Sequence, residues 1–318
     1  MTAQKVSLIA TVLNERGAVE RWLQSIRGQT RLPDEIVICD GGSTDGTVEL
    51  IEHLAQEFNP PLRLIEKPGA NIAVGRNAAI EAATSGIVAV SDVGAHPEPT
   101  WFFEIVKPFE TDPATQAVAG SYRFQTDTRF KRAAAAYLGQ PWLAENFLPS
   151  SRSVAFSKSA WKESGKYPEY LTCAAEDTLF NQRLVENGFK FAQAKNAIVH
   201  WELRSNVSSF LKMIWRNAFG DAEAGQWQNA ALTTCKQVLL FLFVVVATTL
   251  WVPSIIIIPT IFFVVKALTR RVPLSSWPEF IILCALGGCT YIFGYVHGRW
   301  WGNRLHDIHT ANSILPRH

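Results

Sequence analysis

The sequence predicts an α/β protein, a mostly parallel sheet with helices on both faces, followed by apolar C-terminal helices. Near-continuous apolar runs of strand length, VSLIATV (6–12), EIVICD (35–40) and GIVAVSD (86–92), recur through the first hundred residues. Stretches with apolar residues at helical spacing, 16–28, 45–57 and 72–84, alternate with them. Strands apolar on both sides need cover on both faces, as in a sheet built from crossover helices. The C-terminal part differs in composition, and no charged residue occurs from Gln237 to Val265.

Taken in order, the first strand runs into Asn14-Glu15, the second stops at Asp40 in the turn CDGGSTDGT (39–47), and the third stops at Asp92. Ligands of open α/β sheets settle outside the carboxyl ends of the strands, so Glu15, Asp40 and Asp92 are expected on one edge. Asp40 has a plainer reading as a turn former, in a loop where Thr44 or Asp45 can cap the next helix. If Asp45 takes the cap, the Asp40 carboxylate is left to accept a nucleobase N–H or a sugar hydroxyl. Arg76 and Asn77 lie in GANIAVGRNAAIEAA (69–83), on the helix leading to the Asp92 strand. An exposed helical arginine is ordinarily just solvated, whereas one at this edge has the forked donor geometry that suits a diphosphate.

Residues 100–175 are less regular and include the loop FLPSSRSVAF (147–156). EDTLFNQRLVENGFK (176–190) reads as a helix that begins at an acid pair and ends with Gly188 at the C′ position. Acids at a helix start are favoured by capping and by the dipole, and the same placement can aim a general base into a cleft. A strand, KFAQAKNAIVHW (190–201), carries His200 near its end, as a structural histidine or a ligand. In 206–227, Phe210, Met213, Ile214 and Ala218 share one helical face, predicted to lie along a membrane surface or the domain edge.

The uncharged tract 237–265 would measure about 43 Å as one straight helix against a hydrocarbon thickness of about 30 Å, and Pro253 and Pro259 interrupt it. A further span is predicted at about 279–298. The intervening loop KALTRRVPLSSW is basic, which favours the cytoplasmic side, and Trp227, Trp251, Trp277, Trp300 and Trp301 stand near span ends as interfacial anchors do. The expected organisation is a cytoplasmic domain over 1–230, with halves at 1–98 and 99–230. A membrane domain of two or three helices over 231–300 and a tail over 301–318 follow. A net charge of +2 gives no reason to expect nucleic acid. The five cysteines lack C-x-x-C or metal-finger spacing, so no disulfide framework is expected. The N-terminus has no signal-peptide pattern, since its short apolar run meets Asn14-Glu15 at once.

The run from Val6 to Ile51, together with ANIAVGRNAAIEAA, VAVSDVGAHPEPTWF and AAEDTLFNQRLVENGFKFAQAKNAIVHW, closely resembles family-2 glycosyltransferases over about residues 5–225. That resemblance implies the nucleotide-sugar-binding fold called GT-A and a donor that is a UDP- or similar nucleotide-sugar. By it, Glu15 and Asp40 would contact the nucleoside, Thr11, Asn14 and Gly42 would belong to the same nucleotide-sugar site, and Arg76 would approach the diphosphate. Asp92 matches the first acid of the family's D-x-D motif, which holds a divalent cation, Mg²⁺ or Mn²⁺. His200, with His96, would complete the metal shell. Asp177, next to Glu176, matches the base that activates the acceptor hydroxyl, and Arg152 and Arg216 would lie on the acceptor side. The second acid of the motif is replaced by Gly94, which leaves fewer protein oxygens for the ion.

The apolar C-terminal segments resemble those of membrane-anchored bacterial members that build polysaccharides or glycolipids. This implies a multi-pass protein of the bacterial inner membrane, with membrane lipid around it and a lipid-linked saccharide or polyprenyl acceptor. The reaction implied is inverting transfer to an acceptor hydroxyl. Transfer onto polyprenyl phosphate is the near alternative, and a catalytically weak binding or assembly scaffold is the more distant one. The processive relatives' Q-x-x-R-W stretch is absent, and MIWRN matches it poorly.

Overall fold

A computed structural model describes residues 4–139, 148–226, 231–239, 261 and 263–314, with side chains as far as 302. Contacts divide the chain into two compact units. The first comprises Met1–Gln125, Pro141–Thr172 and Glu176–Glu202, and the second Thr126–Gln140, Cys173–Ala175 and Leu203–His318.

The first unit is an eight-stranded sheet. In chain order its elements are β1 (Val6–Val12), α1 (Arg16–Arg27), β2 (Glu35–Asp40), α2 (Thr47–Ala55), β3 (Leu62–Glu66), α3 (Ile72–Ala82), β4 (Ile87–Val90), β5 (Ala95–Pro97), α4 (Trp101–Thr111) and β6 (Ala117–Gln125). The second unit's α5 (Arg129–Leu138) intervenes before β7 (Val154–Ser157), α6 (Lys158–Glu163), α7 (Glu176–Glu186) and β8 (Phe191–Glu202). The spatial strand order is β3-β2-β1-β4-β7-β6-β8-β5. Strands β1 to β4 pair in parallel, as do β6 and β8. Strand β7 is inserted antiparallel between β4 and β6, and β5 pairs antiparallel with β8. The sheet is therefore mixed and broadly of the expected class.

Alternation along the strands feeds two cores. Leu8, Ala10, Ile36 and Ile38 pack with Trp22, Leu23, Ile51, Trp101 and Phe102 from α1, α2 and α4. Ile9, Val37, Cys39 and Val88 face the opposite way, onto Ala79, Ile80, Trp161, Phe180 and Leu184 from α3, α6 and α7. Each such full burial of a large aliphatic or aromatic side chain stabilises the fold by about 1.5–3 kcal/mol. This is why both faces of the central strands are apolar. Helix α7 ends as expected, with Gly188 at φ +85°. The N–H of Gly188 reaches the carbonyl of Val185 and that of Phe189 the carbonyl of Leu184, which satisfies two terminal carbonyls.

In the second unit, α8 (Val207–Glu223) is capped by Asn206, whose side chain accepts the Ser209 N–H. The last helix, α9 (Trp277–Ile314), follows a 3₁₀ turn at Leu274–Ser276. Helices α8 and α9 run side by side in the same direction: Gly294 lies on Trp215, Gly298 on Phe219 and Gly302 near Glu223. Glycine at these positions lets the two backbones approach, since a Cβ on Gly294 would stand 2.7 Å from the Trp215 carbonyl oxygen. The apolar face predicted for membrane surface or domain edge is thus partly spent on packing within the unit, with Phe210, Ile214 and Ala218 buried.

Among the described residues one helix, Leu274–Gly302, is long and apolar enough to cross a membrane. It covers the predicted 279–298 span. Most of the other tract, residues 240–260 with Trp251, Pro253 and Pro259, lies outside the described residues, as does Trp227. The described structure therefore supplies one candidate span where two or three, and a multi-pass chain, were expected.

Candidate functional site

Sequence reasoning brought the strand-end acids to one edge, and the first unit shows what each of them touches. At the end of β2, Asp40 is buried and its carboxylate is taken up by its own turn. Oδ1 accepts the N–H groups of Gly42 (2.7 Å) and Ser43 (2.8 Å), and Oδ2 accepts the Ser43 hydroxyl. The turn reading, one of the two left open, describes its contacts. Gly42 has φ +105°, and a Cβ there would crowd the Pro68 backbone at 3.3 Å.

The loop after β1 is latched to this turn. Asn14, at φ +56°, donates its N–H to Ser43 Oγ (2.8 Å) and accepts the Thr44 N–H at Oδ1 (2.9 Å). Glu15 precedes α1 and donates its N–H to Thr47 Oγ1 (3.0 Å). Asp45 accepts the N–H groups of Arg16 and Thr47, and the Thr47 hydroxyl bond foremost holds its carboxyl below the usual range. Thr11 packs under α3, its Cγ2 3.0 Å from the place a Gly75 Cβ would occupy. Beside these loops is a cavity of about 370 Å³ lined by Glu66, Lys67, Pro68, Gly69, Ala70 and Val74.

Arg76 differs most from expectation. It is not a solvated arginine but one of the most buried side chains, 2% exposed. Nη2 donates to Asp92 Oδ1 at 2.8 Å, Nη1 donates to Glu176 Oε1, and the guanidinium lies 5.4 Å from the Tyr167 ring centroid. Burial alone would lower its pKa, but Asp92 and Glu176 outweigh that and keep it raised. Burial likewise raises the Glu176 pKa against the opposing pull of Arg76, with the neighbouring Asp177 adding to the rise. The arginine expected at a diphosphate thus spends its charge on two carboxylates that end β4 and begin α7.

Asp177 is half-buried at the start of α7. Oδ2 accepts the Ser151 N–H (3.1 Å) and Oδ1 the Thr178 N–H (2.8 Å). Ser151 Oγ lies 3.2 Å from the Tyr167 hydroxyl, so Asp92, Arg76, Glu176, Tyr167, Ser151 and Asp177 form one connected set. Tyr167 had no sequence signal, because it neither ends an element nor belongs to a motif, and Ser151 was marked only by its place in the loop 147–156. Asn77 braces the set from below: its Oδ1 accepts Trp161 Nε1 and the Tyr167 N–H, and its Nδ2 donates to the Tyr167 carbonyl and Glu169.

Of the residues expected around a metal, Asp92 follows β4, and His96 and His200 face each other on β5 and β8. His200 Nε2 is 2.8 Å from Glu98 Oε1. Burial, then the charge of Arg21, lowers the His96 pKa. Among the described residues no three His, Cys, Asp or Glu side chains are grouped to hold an ion. Asp92, with its side chain 30% exposed, is the carboxylate left for one. Gly94 is exposed, and a Cβ there would meet nothing within 4 Å.

Arg152 lies in the loop before β7 with its guanidinium 3.7 Å from the Trp201 ring centroid. Arg216, in the second unit, is exposed on α8.

Comparison with known proteins agrees with this architecture. Residues 7–160 match the family model described as Glycosyl transferase family 2. A protein of Escherichia coli named Uncharacterized glycosyltransferase YibD is 33% identical over 101 residues, 32% of this chain and 29% of its own. The O-antigen chain rhamnosyltransferase RfbN of Salmonella typhimurium is 24% identical over 225 residues, 61% of this chain and 65% of its own. The chain therefore spans less than two thirds of these relatives. Among solved structures, the mannosyltransferase PcManGT from Pyrobaculum calidifontis, in complex with GDP-Man and Mn²⁺, aligns over 99% of this chain and 82% of its own. The TM-score is 0.57 at 18% identity, a likeness of fold. The mixed sheet that carries the Arg76 bridge is of the GT-A kind, and residues 7–160, just under half of this chain, are the part that matches glycosyl transferase family 2.

Proposed function

We propose that the protein is an inverting glycosyltransferase that moves a sugar from a nucleotide-sugar to an acceptor hydroxyl. The observation that carries this reading is the Arg76 bridge, which ties Asp92 to Glu176 and so sets Asp177 beside it at the carboxyl edge. The nucleoside occupies the cavity beside the Asp40 turn, with the loops after β1 and β2 as its rim. Asp177 is the general base. It takes the acceptor proton as the hydroxyl oxygen bonds to the anomeric carbon. The bond from that carbon to the diphosphate breaks on the opposite face, and its electron pair leaves with the nucleoside diphosphate. Holding both reactants in line supplies much of the rate. Glu176, buried against Arg76, positions this acid instead of sharing its proton chemistry. Asp92, partly exposed at this edge, would hold a Mg²⁺ or Mn²⁺ bound together with the donor, and such an ion would offset charge on the diphosphate.

The acceptor is a saccharide, a reading supported by the likeness to an O-antigen chain rhamnosyltransferase. Its lipid linkage is supported by the apolar Leu274–Gly302 helix, on which Ile282, Leu286, Phe293, Val296 and Trp300 are exposed.

The test is a panel of UDP-, GDP- and dTDP-sugars with the full chain in detergent, against lipid-linked and water-soluble acceptors. Asp177→Asn is expected to keep donor affinity and to slow transfer by about 10²–10⁴-fold. Near-normal turnover would remove Asp177 from the role, and exclusive use of soluble acceptors would end the lipid-linked reading.

A further inference from the structure

Arg152 is a cation held in place with most of its donors unused. Its guanidinium stacks on Trp201, which packs with Tyr122 and Phe124 at ring centroid distances of 6.0 and 5.6 Å. Nη1 donates to Ser150 Oγ at 3.1 Å. An arginine has five N–H donors, and stacking on an indole restrains the plane while leaving the edges open. Arg21, Arg31, Arg63 and Arg76 each have a carboxylate within ion-pair distance. Among the described residues Arg152 has none.

Its neighbours place it at the reacting edge. The residue before it, Ser151, donates to Asp177. Trp201, beneath it, is registered against Ala95, whose N–H reaches the Asp92 carbonyl at 2.9 Å. The hydroxyl of Tyr122, pushed up to about 12 by burial, feels Arg152 and Asp177 with opposite sign. A departing nucleoside diphosphate gathers negative charge, which fixed cations at the site stabilise. Here Arg76 is already neutralised by two acids, and the second acid of the metal motif is Gly94.

We propose that Arg152 grips the donor's diphosphate and supplies the positive charge that a two-acid metal site would otherwise bring. This rests on the nucleotide-sugar reading above. The oxyanion could instead belong to the acceptor, the side on which sequence reasoning put Arg152, and the experiment separates the two.

Binding of UDP, GDP and dTDP, and of uridine, guanosine and thymidine, would be measured by calorimetry on the full chain in detergent, with EDTA and with Mn²⁺. Arg152→Gln is expected to weaken the preferred diphosphate about tenfold, more in EDTA than in Mn²⁺, and to leave the nucleoside unchanged. Arg152→Lys, which keeps the charge without the fork, should fall between and decides the matter if the glutamine variant melts early. Wild-type affinity for the diphosphate in both variants and both media would overturn the proposal and leave the acceptor as the source of the anion. If the wild type binds none of the three diphosphates, the nucleotide-sugar reading itself fails.

Discussion

The guanidinium of Arg76 donates to Asp92 Oδ1 across 2.8 Å while its other arm donates to Glu176, from a side chain that is 2% exposed. A cation this deep is tolerable only while both partners are present. The bridge therefore acts on stability as well as on where the edge acids stand.

Arg76→Leu should cost about 3–5 kcal/mol, because it strands Glu176 as a buried acid without its cation. The Glu176 pKa is already raised and would rise further. An acid whose folded pKa is raised loses stability as pH climbs through that value, so the deficit should be larger at pH 8 than at pH 5. Denaturant melts of both proteins at the two pH values check this, and a deficit that shrinks with pH would contradict it.

Asp40→Ala should lower both thermal stability and nucleoside affinity, since it removes the acceptor of two backbone N–H groups in a buried turn. About 1–3 kcal/mol is expected for the groups left unmatched. Asp40→Asn, which keeps one acceptor oxygen, should lose less. An unchanged melting temperature in the alanine variant would make Asp40 a ligand contact only.

Mn²⁺ titrated without nucleotide and followed by electron paramagnetic resonance should show only weak binding. Gly94→Asp restores the second acid at an exposed position where a Cβ meets nothing within 4 Å, and should tighten that binding. Tight binding by the wild type would mean a resident site that the donor set does not indicate.

Gly294→Leu should separate α8 from α9, because its Cβ would stand 2.7 Å from the Trp215 carbonyl oxygen. Overpacking of this sort costs about 1–3 kcal/mol, read as an earlier melt. Leucine at the exposed Val296 is the control and should change little.

The first half of the sheet was legible because its signals are local. β1 and β2 are unbroken apolar runs, α1 and α7 keep helical spacing, and Gly188 punctuates α7 where a left-handed residue is needed. LRLIE, which forms β3, was not read as a strand, since Arg63 and Glu66 break its apolar run. Within 100–175, β7 finds its place through partners on β4 and β6, far away in the chain, and local spacing cannot report such pairing. The same limit applies to the site. Acids at strand ends announced the edge, but the burial of Arg76 depends on Glu176, a hundred residues on. The surroundings of His200 depend on Glu98, about a hundred residues earlier in the chain, a pairing that local spacing does not report.

The clasp of Asn14 onto Ser43 and Thr44 means that the first two strand-end loops form a single finished rim before anything arrives. A visitor there meets a mould already set, so capture need not await folding of its own receptacle. A change at Asn14 would then be felt in both loops at once, since one side chain and its own N–H hold the two together.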